Sequence, residues 1–316
     1  MDFSIVVNDF ASLTLDGFVV GAIYALVALG YTLVYGVLRL INFAHSEIFM
    51  MGTMTAVFVT SLLGFTGFED PLPIWRFFLV FALIVIASSL VSGSAAVLLE
   101  IVAYRRLRNM GASRLSSLIS AIGASFFLTE TFRILTDSKN LDFPRLISKD
   151  PLFQIGSAYV TQDKLLVIGG AGLLFFGLNR VINHTRLGLG IRAVSQDERT
   201  SVLMGVNVNR VISFTFLIGG VLAGAGSAFY MVFYETTKSN VGFLIGISAF
   251  TAAVLGGIGN IRGALIGSFV LGLFQQYTAA VLGYNWRDVV TFVVLVLVLL
   301  VKPTGLFGEA LQKARV

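Results

Sequence analysis

Long apolar runs without a charged residue divide this chain into nine segments, and they restrict its fold more than any other feature. Crossing the hydrocarbon core of a bilayer takes about 20 mostly apolar residues. Six runs reach that length unaided, and three shorter ones reach it only with flanking residues. The long runs cover residues 17–38, 48–68, 77–99, 211–234, 239–261 and 263–286, and the shorter runs cover 115–129, 165–179 and 289–301.

The composition excludes a water-soluble chain. Only 12% of the residues are charged, about half the usual share of a soluble domain, and the mean hydropathy is +0.89. Every backbone polar group must be paired in lipid, so only helices or a closed barrel can span it. Barrel strands alternate apolar and polar residues, whereas these runs are continuous. We therefore predict an all-α, polytopic transmembrane bundle with discontinuous helices, in which residues 1–316 form a single domain.

The distribution of charge predicts the orientation of this bundle. Basic loops stay on the cytoplasmic side of a membrane. We place the two most basic loops, 105–114 and 180–210, in the cytoplasm and let successive segments cross in opposite directions. This puts 14 of the 22 basic residues inside and 12 of the 17 acidic residues outside. The N-terminus is then outside and the C-terminus inside. The acidic N-terminal residues are unlike the start of a signal peptide, so we expect mature sequence there. No basic patch accompanies an aromatic platform, which argues against nucleic acid as a partner.

Glycine marks both helix contacts and one helix break. Four pairs have the four-residue spacing that lets helices pack closely in lipid, and packing alone is the simplest interpretation of them. The run from Gly256 to Gly263 contains Asn260 and Arg262, so it predicts a turn or an unwound stretch. Its glycines superficially resemble a dinucleotide-binding loop, but no strand precedes them. The chain also has no Walker phosphate loop, so any ATP must bind to another subunit. The four pairs are Gly17 with Gly21, Gly220 with Gly224, Gly242 with Gly246, and Gly263 with Gly267.

A polar cluster from Ile41 to Glu47 separates the first two apolar runs. Ionisable groups at membrane depth are costly and usually face a cavity or a partner. Asn42, His45 and Glu47 are therefore candidates for a translocation pathway. The alternative is that Asn42 or Ser46 only caps a tight helical hairpin.

Enzyme chemistry has little support in this sequence. The chain has no cysteine and two histidines, His45 and His184, and the second lies in a basic loop. We therefore expect no metal site, and no catalytic residue because Ser92 and Ser94 have no histidine partner.

The segment 189–208 is too long for a simple hairpin connection. Its polar run can form two or three helical turns, starting at Ser195 or Asp197 and ending at Gly205. Val194, Val202, Leu203 and Val206 would give this helix an apolar side. A solvated surface helix is the alternative interpretation.

Several blocks of the sequence, in order along the whole chain, resemble LivH-type permeases of branched-chain amino acid ABC importers. Ser46 and Arg262 depart from the family, which commonly has Gly and Pro there. In 189–208, the spacing from Arg199 to Gly205 is similar to the Glu-Ala-Ala and Gly signature of importer coupling helices, although Arg199 stands in place of the Glu. The blocks are YALVALGYTLVYG at 24–36, INFAH at 41–45, VAYR at 102–105, LISAIG at 118–123, FTAAVLGGIGN at 250–260 and KPTGLFG at 302–308.

The resemblance implies a multi-pass permease of the bacterial inner membrane that moves branched-chain or other neutral amino acids. It implies as partners a LivM-type second permease, two cytoplasmic ATPase subunits that hold ATP and magnesium, and a periplasmic binding protein. This chain itself would bind no cofactor and touch membrane lipid. The candidate pathway residues are Asn42, His45, Glu47, Gly257 and Asn260, and the candidate coupling residues are Gln196, Asp197, Glu198, Arg199 and Gly205.

Other functions stay open at this stage. Relatives of this permease type also serve urea and short amides, which are alternative substrates. An ion-coupled secondary transporter would need no ATPase contact. An intramembrane enzyme would need a catalytic constellation that the sequence lacks.

Overall fold

The computed structural model describes residues 4–65, 67 and 70–308, which form a helical bundle with two small antiparallel sheets. A π-helical stretch, Glu100–Arg105, joins the helix Ile74–Leu99 to the short helix Arg106–Asn109. The strands are β1 (Leu141–Asp142), β2 (Pro151–Ile155), β3 (Ala158–Thr161) and β4 (Thr236–Thr237). The helices are α1 (Ser4–Asn8), α2 (Phe10–Leu38), α3 (His45–Leu62), α4 (Ile74–Leu99), α5 (Arg106–Asn109), α6 (Arg114–Leu135), α7 (Gln162–His184), α8 (Arg186–Gln196), α9 (Glu198–Leu203), α10 (Val208–Tyr234), α11 (Val241–Gly256), α12 (Ile261–Leu282) and α13 (Trp286–Val301).

Each of the nine apolar runs coincides with one helix, which confirms the predicted all-α, polytopic bundle. The run predicted to end at Phe68 contains α3, and Thr66 and Phe68 lie outside the described residues. Within the described residues, six helices are long and apolar enough to cross a membrane, and α11 is a shorter apolar helix. The six are Phe10–Leu38, Ile74–Asn109, Leu115–Leu135, Gln162–His184, Val208–Tyr234 and Ile261–Leu282.

Helices α2 and α10 form the centre of the bundle. Every residue of α2 from Val19 to Val34 is buried, as is every residue of α10 from Leu222 to Val232. Helices α4, α6 and α13 instead leave large apolar side chains exposed along much of their length. A helix that is apolar on all sides is stable only inside a protein or in lipid. The outer helices therefore present the surface that lipid or a second subunit must cover.

The four glycine pairs lie at close helix contacts, as the packing interpretation predicts. A Cβ atom on Gly21 would lie 2.8 Å from Cα of Phe269, so α2 and α12 touch backbone to backbone there. Gly224 brings α10 against Ser88 of α4, and Gly242 brings α11 against Ser46 of α3. Without a hydrophobic effect between helices in lipid, such close packing is a main source of their association.

The glycine run after α11 is a turn, as predicted. Helix α11 ends at Gly256, and Gly257 and Gly259 have φ of +106° and +97°, a conformation that side chains disfavour. Asn260 then starts α12, because its Oδ1 accepts hydrogen bonds from the backbone N–H groups of Arg262 and Gly263, both at 3.1 Å.

The segment between α7 and α10 differs from the single short helix predicted for it. It forms two helices, α8 and α9, which meet at Asp197. Asp197 does start a helix and Gly205, with φ of +82°, lies just beyond its end, as predicted. The predicted apolar side is wrong, because the break at Asp197 turns Val194 into the protein while Leu203 points out.

The opposite end of the bundle carries the two sheets. Strand β1 pairs with β4, directly after α10, and β2 pairs with β3 in a hairpin. Glu235 at the end of α10 forms ion pairs with Arg145 (3.1 Å) and Lys149 (2.8 Å). These contacts hold the loop between α6 and α7 over the end of α10 that lies farthest from α9.

Candidate translocation pathway and coupling segment

The polar cluster between α2 and α3 is buried inside the bundle. Asn42, His45 and Glu47 are exposed by 2%, 1% and 0% of their surface. His45 and Glu47 lie in the first turn of α3, and the chain reaches them through a left-handed Arg39 that ends α2. The structure therefore brings these three predicted residues to one region, next to the glycine contact between α3 and α11.

The histidine packs between three helices. Its ring lies 4.9 Å from the ring of Tyr31 on α2 in an edge-to-face arrangement. A Cβ atom on Gly30 would overlap the His45 ring, and Gly219 of α10 lies on the same side. Glycine at position 30 leaves the space that the imidazole fills, whereas a Cβ atom on Gly219 would lie at an ordinary contact distance of 3.5 Å from the ring.

Each polar side chain in the cluster is only partly satisfied. Asn42 Oδ1 accepts a hydrogen bond from the hydroxyl of Tyr104 (2.9 Å), and Glu47 Oε1 accepts one from Ser125 (3.2 Å). Asn42 Nδ2, His45 Nε2 and Glu47 Oε2 have no hydrogen-bond partner among the described residues. An unpaired buried polar atom costs roughly 1–3 kcal/mol, so such atoms call for a functional reason.

The capping alternative does not match the structure. The residue that precedes α3 is Ala44, and no side chain forms a cap hydrogen bond at this helix start. Ser46 instead donates to the carbonyl oxygen of Phe43 (2.7 Å). The polar residues of the cluster are thus not explained by helix capping.

Gly257 and Asn260 lie at the other break and contact the segment after α13. The Asn260 amide donates to the carbonyl oxygen of Phe307 (3.0 Å), and the Phe307 N–H donates to the carbonyl oxygen of Gly256 (3.0 Å). A Cβ atom on Gly257 would overlap Gly308. The 302–308 segment therefore seals the turn between α11 and α12, on the α9 end of the bundle.

The coupling candidates form an exposed corner. Asp197 Oδ1 accepts hydrogen bonds from the N–H groups of Arg199 (2.9 Å) and Thr200 (3.3 Å). The Thr200 hydroxyl, its backbone N–H and Arg199 lower the pKa of the Asp197 carboxyl below its ordinary value. A depressed pKa means that the ionised cap supports α9 at neutral pH and is lost only as the pH falls through that lowered pKa. Gln196 and Glu198 are exposed beside it.

Three apolar side chains stand out from this corner. Val202, Leu203 and Met204 are exposed by 56%, 86% and 80%. A cluster of exposed apolar residues rimmed by charge is typical of a protein contact. The corner also contacts the connection between α2 and α3, since Arg39 donates to the carbonyl oxygen of Ser195 (3.3 Å).

Sequence reasoning missed one feature, a cleft of about 440 Å³ at the end of the bundle that carries the sheets. The signal in the sequence is Arg287, a charge in the first turn of the apolar helix α13. The cleft is lined by Tyr24, Asn140, Tyr230, Tyr234, Thr236, Thr237, Lys238, Val241, Leu244, Ile245, Ser248, Tyr284, Asn285, Arg287 and Asp288.

Within the described part of the chain, no group of three or more His, Asp or Glu side chains is placed to hold a metal ion.

Together, the crossing helices, the glycine-packed core and the buried polar cluster define a multi-pass membrane permease. The family model for the permease component of the branched-chain amino acid transport system matches residues 13–299. The chain belongs to this family.

Relatives of similar length support this assignment. The chain is 40% identical over 297 residues to the high-affinity branched-chain amino acid transport system permease protein BraD of Pseudomonas aeruginosa, covering 93% of this chain and 94% of the relative. It is 36% identical over 299 residues to the corresponding LivH protein of Escherichia coli, with the same coverage. A probable LivH protein of Methanocaldococcus jannaschii is 27% identical over 306 residues, covering 92% of this chain and 90% of the relative. No solved structure matches the chain.

Proposed function

We propose that this chain is the LivH-type permease subunit of an ABC importer and moves branched-chain or other neutral amino acids into the cell. The observation that carries the proposal is the family match from residue 13 to residue 299, which includes both helix breaks. The whole chain then acts as one permease domain. Its place is the bacterial inner membrane, with the N-terminus periplasmic and the C-terminus cytoplasmic, as the charge distribution predicts.

The proposed complex has four kinds of subunit. A LivM-type permease covers one exposed apolar face of the bundle, and two cytoplasmic ATPases bind ATP and magnesium. A periplasmic binding protein delivers the amino acid to the sheet-bearing end. This chain needs no cofactor of its own for that role, because its work is to open and close a path.

The corner formed by α8 and α9 is the proposed ATPase contact. Leu203 and Met204 supply an apolar surface, and Asp197 holds α9 in a fixed orientation from its first turn. A helix seated in a groove of an ATPase can pass closure of the nucleotide sites into the membrane as rigid-body motion. Arg39 then carries that motion from α8 to the connection between α2 and α3.

The pathway cluster responds to this motion in the proposed mechanism. His45 and Glu47 lie at the start of α3, directly after the connection that Arg39 begins. Their unpartnered atoms gain water or substrate when the helices separate, which lowers the cost of opening. Gly257 and Asn260 are the proposed inner hinge, because α11 and α12 meet there in a turn that the 302–308 segment closes.

The proposal is tested by uptake in a strain that lacks this subunit. Labelled L-leucine, L-alanine and urea are supplied separately, and ATP or the proton gradient is depleted in parallel. We expect loss of ATP-dependent amino acid uptake, restored by the wild-type chain. Loss of urea uptake alone, or uptake that collapses with the proton gradient while ATP is maintained, would overturn the proposal.

A further inference from the structure

Arg287 is a buried cation without a carboxylate partner. Its side chain is 7% exposed, and its Nε atom has no hydrogen-bond partner among the described residues. The ion pairs found within the described residues do not include it, so no carboxylate oxygen there lies within 4.0 Å of an Arg287 nitrogen. Removing a charge from water costs several kcal/mol, which a buried arginine normally recovers from an anion.

A polar network fixes the position of this arginine. Its Nη2 atom donates to Oε1 of Gln275 (3.4 Å), which also accepts a hydrogen bond from the hydroxyl of Tyr24 (2.7 Å). The Gln275 amide in turn donates to Ser248 (3.3 Å) and to Thr291. The guanidinium carbon lies 4.9 Å from the centre of the Tyr284 ring. The cation is therefore held in place before any ligand arrives.

The cleft around Arg287 has the chemistry of an amino acid site. Its volume of about 440 Å³ falls in the range of small-molecule pockets, roughly 300–1,000 Å³. The first turns of α11 and α13 line it, and a helix start favours an anion. Asp288 also lines the cleft and offers a carboxylate to an ammonium group, and Leu244 and Ile245 offer an apolar wall.

We infer that the cleft binds the substrate itself, with the α-carboxylate of a neutral amino acid on Arg287. Arginine forms two parallel hydrogen bonds to a carboxylate, which fixes the orientation of the ligand as well as its charge. In the proposed orientation the cleft opens outward, because it lies at the sheet-bearing end of α10. The inference rests on the proposed function and adds to it a selection step within the permease, after release from the binding protein.

The test measures binding to the purified complex without binding protein and without ATP. Saturation-transfer NMR reports weak binding of L-leucine, of L-leucinamide, which lacks the carboxylate, and of 4-methylpentanoate, which lacks the ammonium group. We expect wild type to bind L-leucine about tenfold or more tightly than L-leucinamide, the range expected for a charge-assisted pair. Arg287→Gln should remove that preference, and Arg287→Lys should keep part of it.

Arg76→Gln is the matched control. Arg76 also lies in the first turn of a spanning helix on the same side, but it is exposed and packs on the Trp75 ring, away from the cleft. Its replacement should leave the preference for L-leucine unchanged. If Arg287→Gln fails to assemble, the wild-type comparison of the ligands still decides the question.

Three results separate the possible failures. Equal binding of L-leucine and L-leucinamide by wild type, with ATP-driven leucine uptake intact, would overturn the carboxylate site and leave the proposed function standing. A carboxylate of the binding protein is the other source of an anion. The inference would therefore also be overturned if the wild-type complex bound no free leucine and the Arg287→Gln variant lost docking of the binding protein. A wild-type importer that moves some other solute and no amino acid would overturn the proposed function and this site with it.

Discussion

Arg39 and Ser195 join the α8–α9 corner to the connection between α2 and α3. The Arg39 guanidinium donates a hydrogen bond to the carbonyl oxygen of Ser195 at 3.3 Å, across 156 positions of sequence. Arg39 ends α2 in a left-handed conformation, with φ of 53°, and Ser195 lies in the last turn of α8. A displacement of α8 therefore reaches the connection that leads into the polar cluster.

The first prediction removes this link. Arg39→Ala should leave basal ATP hydrolysis intact and lower amino acid uptake per ATP by about threefold to tenfold, the effect of one solvent-exposed hydrogen bond of roughly 0.5–1.5 kcal/mol. Uptake and hydrolysis are measured together in proteoliposomes. Arg262→Ala is the control, since Arg262 is exposed on the same side and its side chain makes no hydrogen bond among the described residues. Equal coupling in both variants would rule out the link.

The second prediction concerns the conformation of Gly205. Its φ of +82° is strained for a side chain, while a Cβ atom there would meet nothing within 4 Å. Gly205→Leu should therefore reorient the end of α9 at a cost of roughly 1–2 kcal/mol, without a steric clash. We expect the variant to stay in the membrane but to release the ATPases or to hydrolyse ATP without uptake.

Asparagine separates conformation from loss of glycine as such. Gly205→Asn should keep most coupling, because Asn tolerates the left-handed region. Copurification of the ATPases and the uptake-to-hydrolysis ratio are the readouts. Full coupling in Gly205→Leu would show that this corner is not the ATPase contact.

The nine apolar runs were sufficient to predict nine of the helices, because the length and continuity of an apolar run are local properties. The turn after Gly256 and the start of α9 at Asp197 were also predictable, since capping and positive φ depend on adjacent residues. The division of 186–203 into two helices was not, because it depends on Val194 packing into the bundle. The Arg287 cleft needed four helices, α2, α10, α11 and α13, to be placed side by side, which no local pattern records.

The third prediction tests the buried polar cluster. His45→Leu and Glu47→Gln should each lower uptake by about tenfold while assembly and basal ATP hydrolysis persist, because the unpartnered atoms of these side chains act only when the path opens. Ser94→Ala is the control, since Ser94 is exposed and bonds only within its own helix. Unchanged uptake in both pathway variants would show that the cluster has only a structural role.

The fourth prediction tests the orientation. The chain has no cysteine, so single cysteines can be placed at Asp70, Ser157 and Asn109 without background. The first two should react with a membrane-impermeant maleimide in intact cells, and the third only after lysis. Asp70 precedes the continuous helical stretch Ile74–Asn109, and Asn109 ends it. The two positions therefore lie on opposite sides of the membrane and cannot both react from the same side. Labelling at Asn109 in intact cells would show that the orientation is the opposite of the predicted one.

Transport by the reconstituted complex is the decisive experiment for the proposed function. The chain is assembled with its second permease, ATPases and binding protein in proteoliposomes that contain ATP and magnesium, and labelled L-leucine is added outside. We predict accumulation that requires both ATP and binding protein and is insensitive to ionophores. Accumulation that an ion gradient drives without ATP would contradict the proposed function. So would a complex that hydrolyses ATP but accumulates no neutral amino acid.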